Sequence, residues 1–287
     1  MSYPEDLRGL VDAELKRLRF SAQPATAGLE EAMGYSLLAG GKRVRPVLAL
    51  ATARAIGADP VELLPLAAAI ELIHTYSLIH DDLPAMDDDE LRRGLPTSHV
   101  KFGEDVAILA GDGLFAEAIR LFCEQPGEPD RVLAALAELA AAIGVDGMVG
   151  GQYVDVAGEA RDADALRALH GLKTGRLIAA AVGVVLTLEG VAELETIAYR
   201  RFAGELGVLF QIVDDILDVT GSDEQLGKPR GSDERHGKLT YVSLFGLERA
   251  RELAAESHAK ATAALAKADG ETGDLSGIAD YIFTRNE

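Results

Sequence analysis

No proline occurs between Asp130 and Lys228, although the 287-residue chain has ten. A proline inside a helix costs about 3 kcal/mol, because its ring clashes with the preceding turn and its N–H is missing. A stretch this long without one is open to a run of long helices. The spacing agrees: Leu133, Leu136, Ala137 and Ala140 recur at threes and fours, as do Leu206, Leu209, Phe210 and Val213. No sustained alternation of apolar and polar residues marks a strand. The chain reads as all-α. Breaks at Gly40-Gly41, Gly57 to Pro60, Pro84, Gly94 to Pro96, Gln125 to Asp130, Gly158 to Asp164, Gly221 to Gly237 and Asp269 to Gly277 leave about ten helices. None of these breaks shifts composition enough to be a linker, so 1–287 is expected to be one domain.

Charge narrows the partners. With 47 acidic and 28 basic side chains, the formal net charge is −19. Nucleic acid and anionic membrane surfaces both repel such a chain. The single cysteine, Cys123, forms no internal disulfide and suits a reducing compartment. The first residues interleave acids and bases with no apolar run, and the longest uncharged apolar stretch, Leu177 to Leu188, is short of the ~20 residues of a membrane span. A cytoplasmic protein without membrane insertion is expected.

Two carboxylate clusters stand out. The first runs from Asp81 to Glu90, six acids in ten residues, where a helix carrying Leu66, Ile70, Ile73 and Leu78 meets Pro84. Asp81 and Asp82 fall at the negative end of that helix, where uncompensated carboxylates are unfavourable. Taken alone, the cluster is equally a solvated acidic loop. The second is Asp214, Asp215 and Asp218, set among Leu209, Phe210, Ile212, Val213, Ile216 and Leu217. Like charges at i,i+3 and i,i+4 destabilise a helix unless something positive lies between them. All-oxygen ligand sets select Mg²⁺ or Ca²⁺ over zinc, and Mg²⁺ prefers one or two carboxylates plus phosphate oxygens. Two such sets facing each other would hold a polyphosphate.

Cations gather at the same places. Gly40-Gly41 precedes Lys42, Arg43 and Arg45; Arg92 and Arg93 follow the acidic loop; Lys173, Thr174 and Arg176 lie mid-chain; Lys228 and Lys238 flank a Gly-rich loop. Isolated surface ion pairs contribute little. Phosphate recognition explains why both signs collect together. His74 lies two turns before Asp81 on roughly the same face, a further candidate, whereas His170, His236 and His258 are expected at the surface. Gly231 to Lys238 has the wrong spacing for a P-loop, and HExxH, GxSxG and CxxC are absent.

Together, GGKRVRP, DDLPAMDDDELRRG, GGQ at 150–152, KTG, FQIVDDILD and the Lys228/Lys238 pair resemble, in order, the motifs of the trans-isoprenyl diphosphate synthases, in the form found in bacterial farnesyl diphosphate synthases. The chain is somewhat shorter, and its 221–237 loop is unusually acidic. The resemblance implies the isoprenoid synthase fold: a bundle of long helices around an apolar cavity, usually as a homodimer. It implies that Lys42, Arg45, His74 and Arg93 contact isopentenyl diphosphate. Arg92, Lys173, Thr174, Gln211, Lys228 and Lys238 would contact the allylic diphosphate. Asp81, Asp82 and Asp87 would form one Mg²⁺ motif and Asp214, Asp215 and Asp218 the other, with three ions in the loaded site and Mn²⁺ able to substitute. Tyr76, five residues before Asp81, and Ser77 would set product length, an aromatic residue favouring farnesyl over geranylgeranyl. Geranyl and geranylgeranyl products of the same reaction are the nearest alternatives. A terpene cyclase has no use for the GGKRVRP patch, and an EF-hand would need a glycine that DDLPAMDDDELR lacks.

Overall fold

A computed structural model describes residues 2–158, 162–221 and 238–285. In chain order the helices are α1 (Glu5–Arg17), α2 (Ala27–Leu37), α3 (Val44–Ala55), α4 (Leu64–Asp81), α5 (Ser98–Phe102), α6 (Glu104–Cys123), α7 (Pro129–Ile143), α8 (Met148–Ala157), α9 (Ala163–His170), α10 (Arg176–Glu189), α11 (Glu193–Thr220), α12 (Tyr241–Phe245), α13 (Leu247–Leu265) and α14 (Gly273–Thr284). Strands β1 (Leu91–Arg92) and β2 (Leu95–Pro96) form a hairpin before α5, and a π-turn, Gly171–Gly175, joins α9 to α10.

The uncharged run Leu177 to Leu188 has no polar face, and a helix apolar all round belongs in a core. It forms most of α10, which packs against α3, α7 and α11, with nearly every residue buried. Helix α4 lies against α3 and α6; α13 runs along α11; α14 crosses α3 and α11. The all-α expectation holds, with more and shorter helices than the sequence suggests. The expected helix through 130–158 breaks at residues 144–147, where Gly147 would bring a Cβ within 2.0 Å of the Ala142 carbonyl oxygen. A further break falls at Gly190, which caps α10 in the left-handed conformation (φ 66°).

By length and apolarity alone, two stretches reach the size of a membrane span, Pro129–Ala157 and Ala163–Glu189. The first is two helices, α7 and α8. The second is interrupted by the π-turn, and its α10 half is core.

The hairpin is the other departure from expectation, since by sequence Gly94 to Pro96 reads only as a break. Arg93 (φ 54°) and Gly94 (φ 76°) are the two central residues, both left-handed, as a two-residue turn matching strand twist requires. One consequence is functional: the adjacent Arg92 and Arg93 reach different partners.

Candidate active site

A cavity of about 840 Å³ opens between α4, the hairpin, α8, the π-turn, α11 and α14. Lys42, Arg45, His74, Tyr76, Ser77, Asp81, Arg92, Arg93, Lys173, Thr174, Gln211 and Asp214 all line it. Four segments distant in sequence therefore converge, and most of the candidate residues share one space.

The glycine turn before α3 sorts its cations. Arg43, left-handed at φ 54°, points inward, to Glu71 Oε1 at 2.7 Å, Asp12 Oδ1 at 3.1 Å and the Leu37 carbonyl oxygen at 2.8 Å. Lys42 stays exposed, 5.1 Å from the Tyr281 ring centroid. Arg45 is buried and donates from Nη1 to His74 Nε2 at 3.3 Å. Burial, then repulsion by Arg45 and Arg93, holds His74 well below its ordinary value, so the ring is neutral and free to accept. Arg93 donates to the Gly40 carbonyl oxygen, and its guanidinium lies against Gly41, where a Cβ would come within 3.0 Å.

The first aspartate cluster ends α4. Asp81 faces the cavity. Burial pushes its carboxyl up to about 6; Asp87 and Asp82 add to this, while Lys173 and Arg92 oppose it. Asp82 is turned away from the cavity and accepts from Arg92 Nε (2.7 Å) and Nη2 (2.5 Å). The Arg92 guanidinium is thereby committed to a carboxylate, and its side chain borders the cavity. Asp87 accepts from Lys238 Nζ at 2.8 Å.

In the second cluster Asp214 is exposed and lines the cavity, 3.7 Å from Arg285 Nη2. It precedes Thr220, the end of α11, by more than a turn, and so does not sit at the helix terminus as Asp81 does. Asp215 and Asp218 are buried. Asp215 accepts from Gln211 Nε2 (2.8 Å) and from the Tyr241 backbone N–H (2.7 Å), fixing α12 on α11. Gln211 Oε1 in turn accepts from the Thr174 hydroxyl at 3.1 Å. Lys173 Nζ donates to Asp155 Oδ2 at 2.6 Å.

Lys228 and His236 lie outside the described residues. The expectation that His170 and His258 are merely exposed is corrected. His170 is half-buried against Tyr241, and burial lowers it to about 4. His258 stacks on Phe283 and contacts Asp280 at 2.9 Å. Residues the sequence reading gave no role also enter the wall or its support: Glu71, Gln152, Asp155 and Arg285. The signal available for Glu71 was a lone carboxylate in an otherwise uncharged stretch of α4. For Asp155 it was i,i+3 spacing from Gln152.

Among the described residues, no three His, Cys, Asp or Glu side chains close around one point. The donors present are carboxylate oxygens on opposite walls, and Asp81 is a half-buried carboxylate short of positive charge. That set fits a hard cation whose remaining ligands come from a diphosphate.

The sequence pattern of the polyprenyl synthetase family matches residues 26–279. The farnesyl diphosphate synthase of Geobacillus stearothermophilus is 46% identical over 265 residues, 91% of this chain and 89% of that protein. The chloroplastic geranylgeranyl pyrophosphate synthase of Capsicum annuum is 47% identical over 264 residues, 90% of this chain and 72% of that one. A Helicobacter pylori geranyltransferase, solved with magnesium and isoprenyl diphosphate, superposes with a TM-score of 0.87 at 32% identity, covering 98% of this chain and 97% of that one. The chain belongs to the polyprenyl synthetase family and is a prenyltransferase.

Proposed function

We propose that this enzyme condenses isopentenyl diphosphate head-to-tail with dimethylallyl and then geranyl diphosphate, giving farnesyl diphosphate. The observation that carries the reading is a pair of separate cationic groups on one cavity. Lys42, Arg45 and Arg93 gather around the glycine turn and His74, while Lys173 adjoins Asp81 across the same cavity; Lys238 and Asp87 pair with each other outside the cavity lining. One group suits the isopentenyl diphosphate, the other the allylic diphosphate, together with Thr174, Gln211 and Lys228.

Asp81 from one wall and Asp214 from the other, joined by Asp87 of the loop after α4, would hold Mg²⁺, three ions in the loaded site, with Mn²⁺ able to replace it; Asp82, Asp215 and Asp218 support these from behind. When bound, Mg²⁺ neutralises the charge that grows on the leaving diphosphate. Lys173 and Lys238 stabilise the same charge from prepositioned sites, and Lys228 is assigned to the same diphosphate. The apolar wall around Tyr76 and Phe210 shields the allylic cation from water. Lys42, Arg45 and Arg93 fix the isopentenyl diphosphate so that its double bond meets C1 of that cation. A proton is then lost to the diphosphate, and no side-chain nucleophile takes part.

Lys42→Ala and Arg45→Ala should raise KM for isopentenyl diphosphate at least about tenfold, and Lys228→Ala that for the allylic substrate, since charge-assisted contacts contribute ~1.5–3 kcal/mol. Steady-state kinetics varying one substrate at a time checks this, and equal effects on both constants in all three variants would contradict it.

The farnesyl assignment rests on Tyr76. It is buried on the cavity wall, edge-to-face with His80 (5.7 Å) and Phe115 (5.3 Å). Ser77 beside it donates to the His74 carbonyl oxygen at 2.9 Å and leaves room for a C10 primer. Tyr76→Ala should shift the product from C15 toward C20, and Ser77→Phe should shorten it toward C10. Chromatography of the dephosphorylated alcohols reads both. A clean C15 product from an active Tyr76→Ala enzyme would remove the case for a farnesyl floor.

The working form is proposed to be a single-domain, cytoplasmic homodimer. Ile108, Leu109 and Phe115 on α6 leave an apolar face exposed for a second copy to cover.

A further inference from the structure

Asp155 has no part in the reading above, yet it joins two of its lysines. Its Oδ2 lies 2.6 Å from Lys173 Nζ and 3.2 Å from Lys238 Nζ, and Lys238 Nζ lies 2.8 Å from Asp87 Oδ1. The four charges alternate along one line: Asp87, Lys238, Asp155, Lys173. Their side chains are only 11–23% exposed, so solvent screens them weakly. The line is built deliberately close. Gly151, one turn before Asp155 on α8, packs onto the π-turn where a Cβ would meet the Lys173 backbone nitrogen at 2.2 Å. Asp155 itself occupies the last turn of α8, where the helix dipole disfavours a carboxylate, so local helix preference does not explain it.

A lysine half-buried between two carboxylates can give up one of them cheaply. A lysine with one partner cannot, because the ammonium would be left unpaired. We propose that Asp155 is a positioning residue that acts as an exchange partner. It retains Lys238 when a divalent cation takes over Asp87, and so lowers the cost of loading the first metal motif. The inference rests on the reading of Asp87 as a metal ligand.

The test is a titration of the full chain with Mn²⁺ alone, followed by loss of the aqueous EPR signal. Asp155→Asn should bind Mn²⁺ about tenfold more weakly than wild type, because Lys238 then competes for Asp87 with no alternative. Lys238→Gln should bind severalfold more tightly, and the double variant should match Lys238→Gln. Unchanged binding in Asp155→Asn would overturn the exchange role. So would a double variant weakened by the same factor as the single one, since Asp155 would then act on the cation directly. Asp155→Ser serves in the same cycle if thermal unfolding finds the asparagine variant unfolded. A wild-type chain that binds no Mn²⁺ would instead overturn the reading of Asp87, and this inference with it.

Discussion

Asp81→Asn should lower turnover by roughly 10²–10³-fold, the size expected when one charge-stabilising group is lost from a transition state, and at the same time stabilise the free protein. Both effects have one cause. Asp81 is half-buried at the negative end of α4, and desolvation, with Asp87 and Asp82, pushes it up to about 6 from 3.8. Between those values the folded chain keeps a proton that the unfolded chain has released. Stability is therefore lost as pH rises through that window, by on the order of 3 kcal/mol above pH 6. Asparagine carries no charge to desolvate and avoids most of the penalty. The variant should melt several degrees higher at pH 7.5 without metal, with the gain vanishing below about pH 4. An unchanged pH dependence of Tm would contradict the account of Asp81 as a carboxylate held ready for a cation.

Glu71→Ala should cost about 3–5 kcal/mol, the penalty for breaking a buried pair from one side. Glu71 and Arg43 are 1% and 2% exposed, and Arg43 also ties α1 through Asp12 to the end of α2 through Leu37. Without Glu71 the guanidinium remains buried and under-neutralised, and the turn that aims Lys42 and Arg45 loosens. Urea denaturation should register the loss. At permissive temperature, KM for isopentenyl diphosphate should rise while that for the allylic substrate stays near wild type. A fully stable variant would mean that Arg43 finds sufficient neutralisation from Asp12 alone.

The sequence makes some of this arrangement legible and hides the rest for physical reasons. Aspartates interrupting apolar helices announce a charge that needs a partner, and Asp81 and Asp214 do share a cavity. Which carboxylate of each group faces it is not legible. Asp82 and Asp215 are satisfied by Arg92, Gln211 and a backbone N–H, and such pairings depend on tertiary approach. Likewise Lys42, Arg43 and Arg45 read as three equivalent cations until the left-handed backbone of Arg43 turns it into the protein. The β1–β2 turn escapes because arginine, not asparagine, takes the first left-handed position. The Asp155–Lys238 contact spans most of the second half of the chain, and no periodicity reports it. The core is the opposite case: α10 is legible outright, since twelve consecutive uncharged residues have nowhere else to go.

Labelled isopentenyl diphosphate incubated with geranyl diphosphate and Mg²⁺ tests the central claim most directly, with and without excess EDTA. The account predicts label in a C15 alcohol after dephosphorylation, with none when the metal is chelated. Condensation that persists in EDTA, or label that never leaves the C5 pool with Mg²⁺ present, would contradict it.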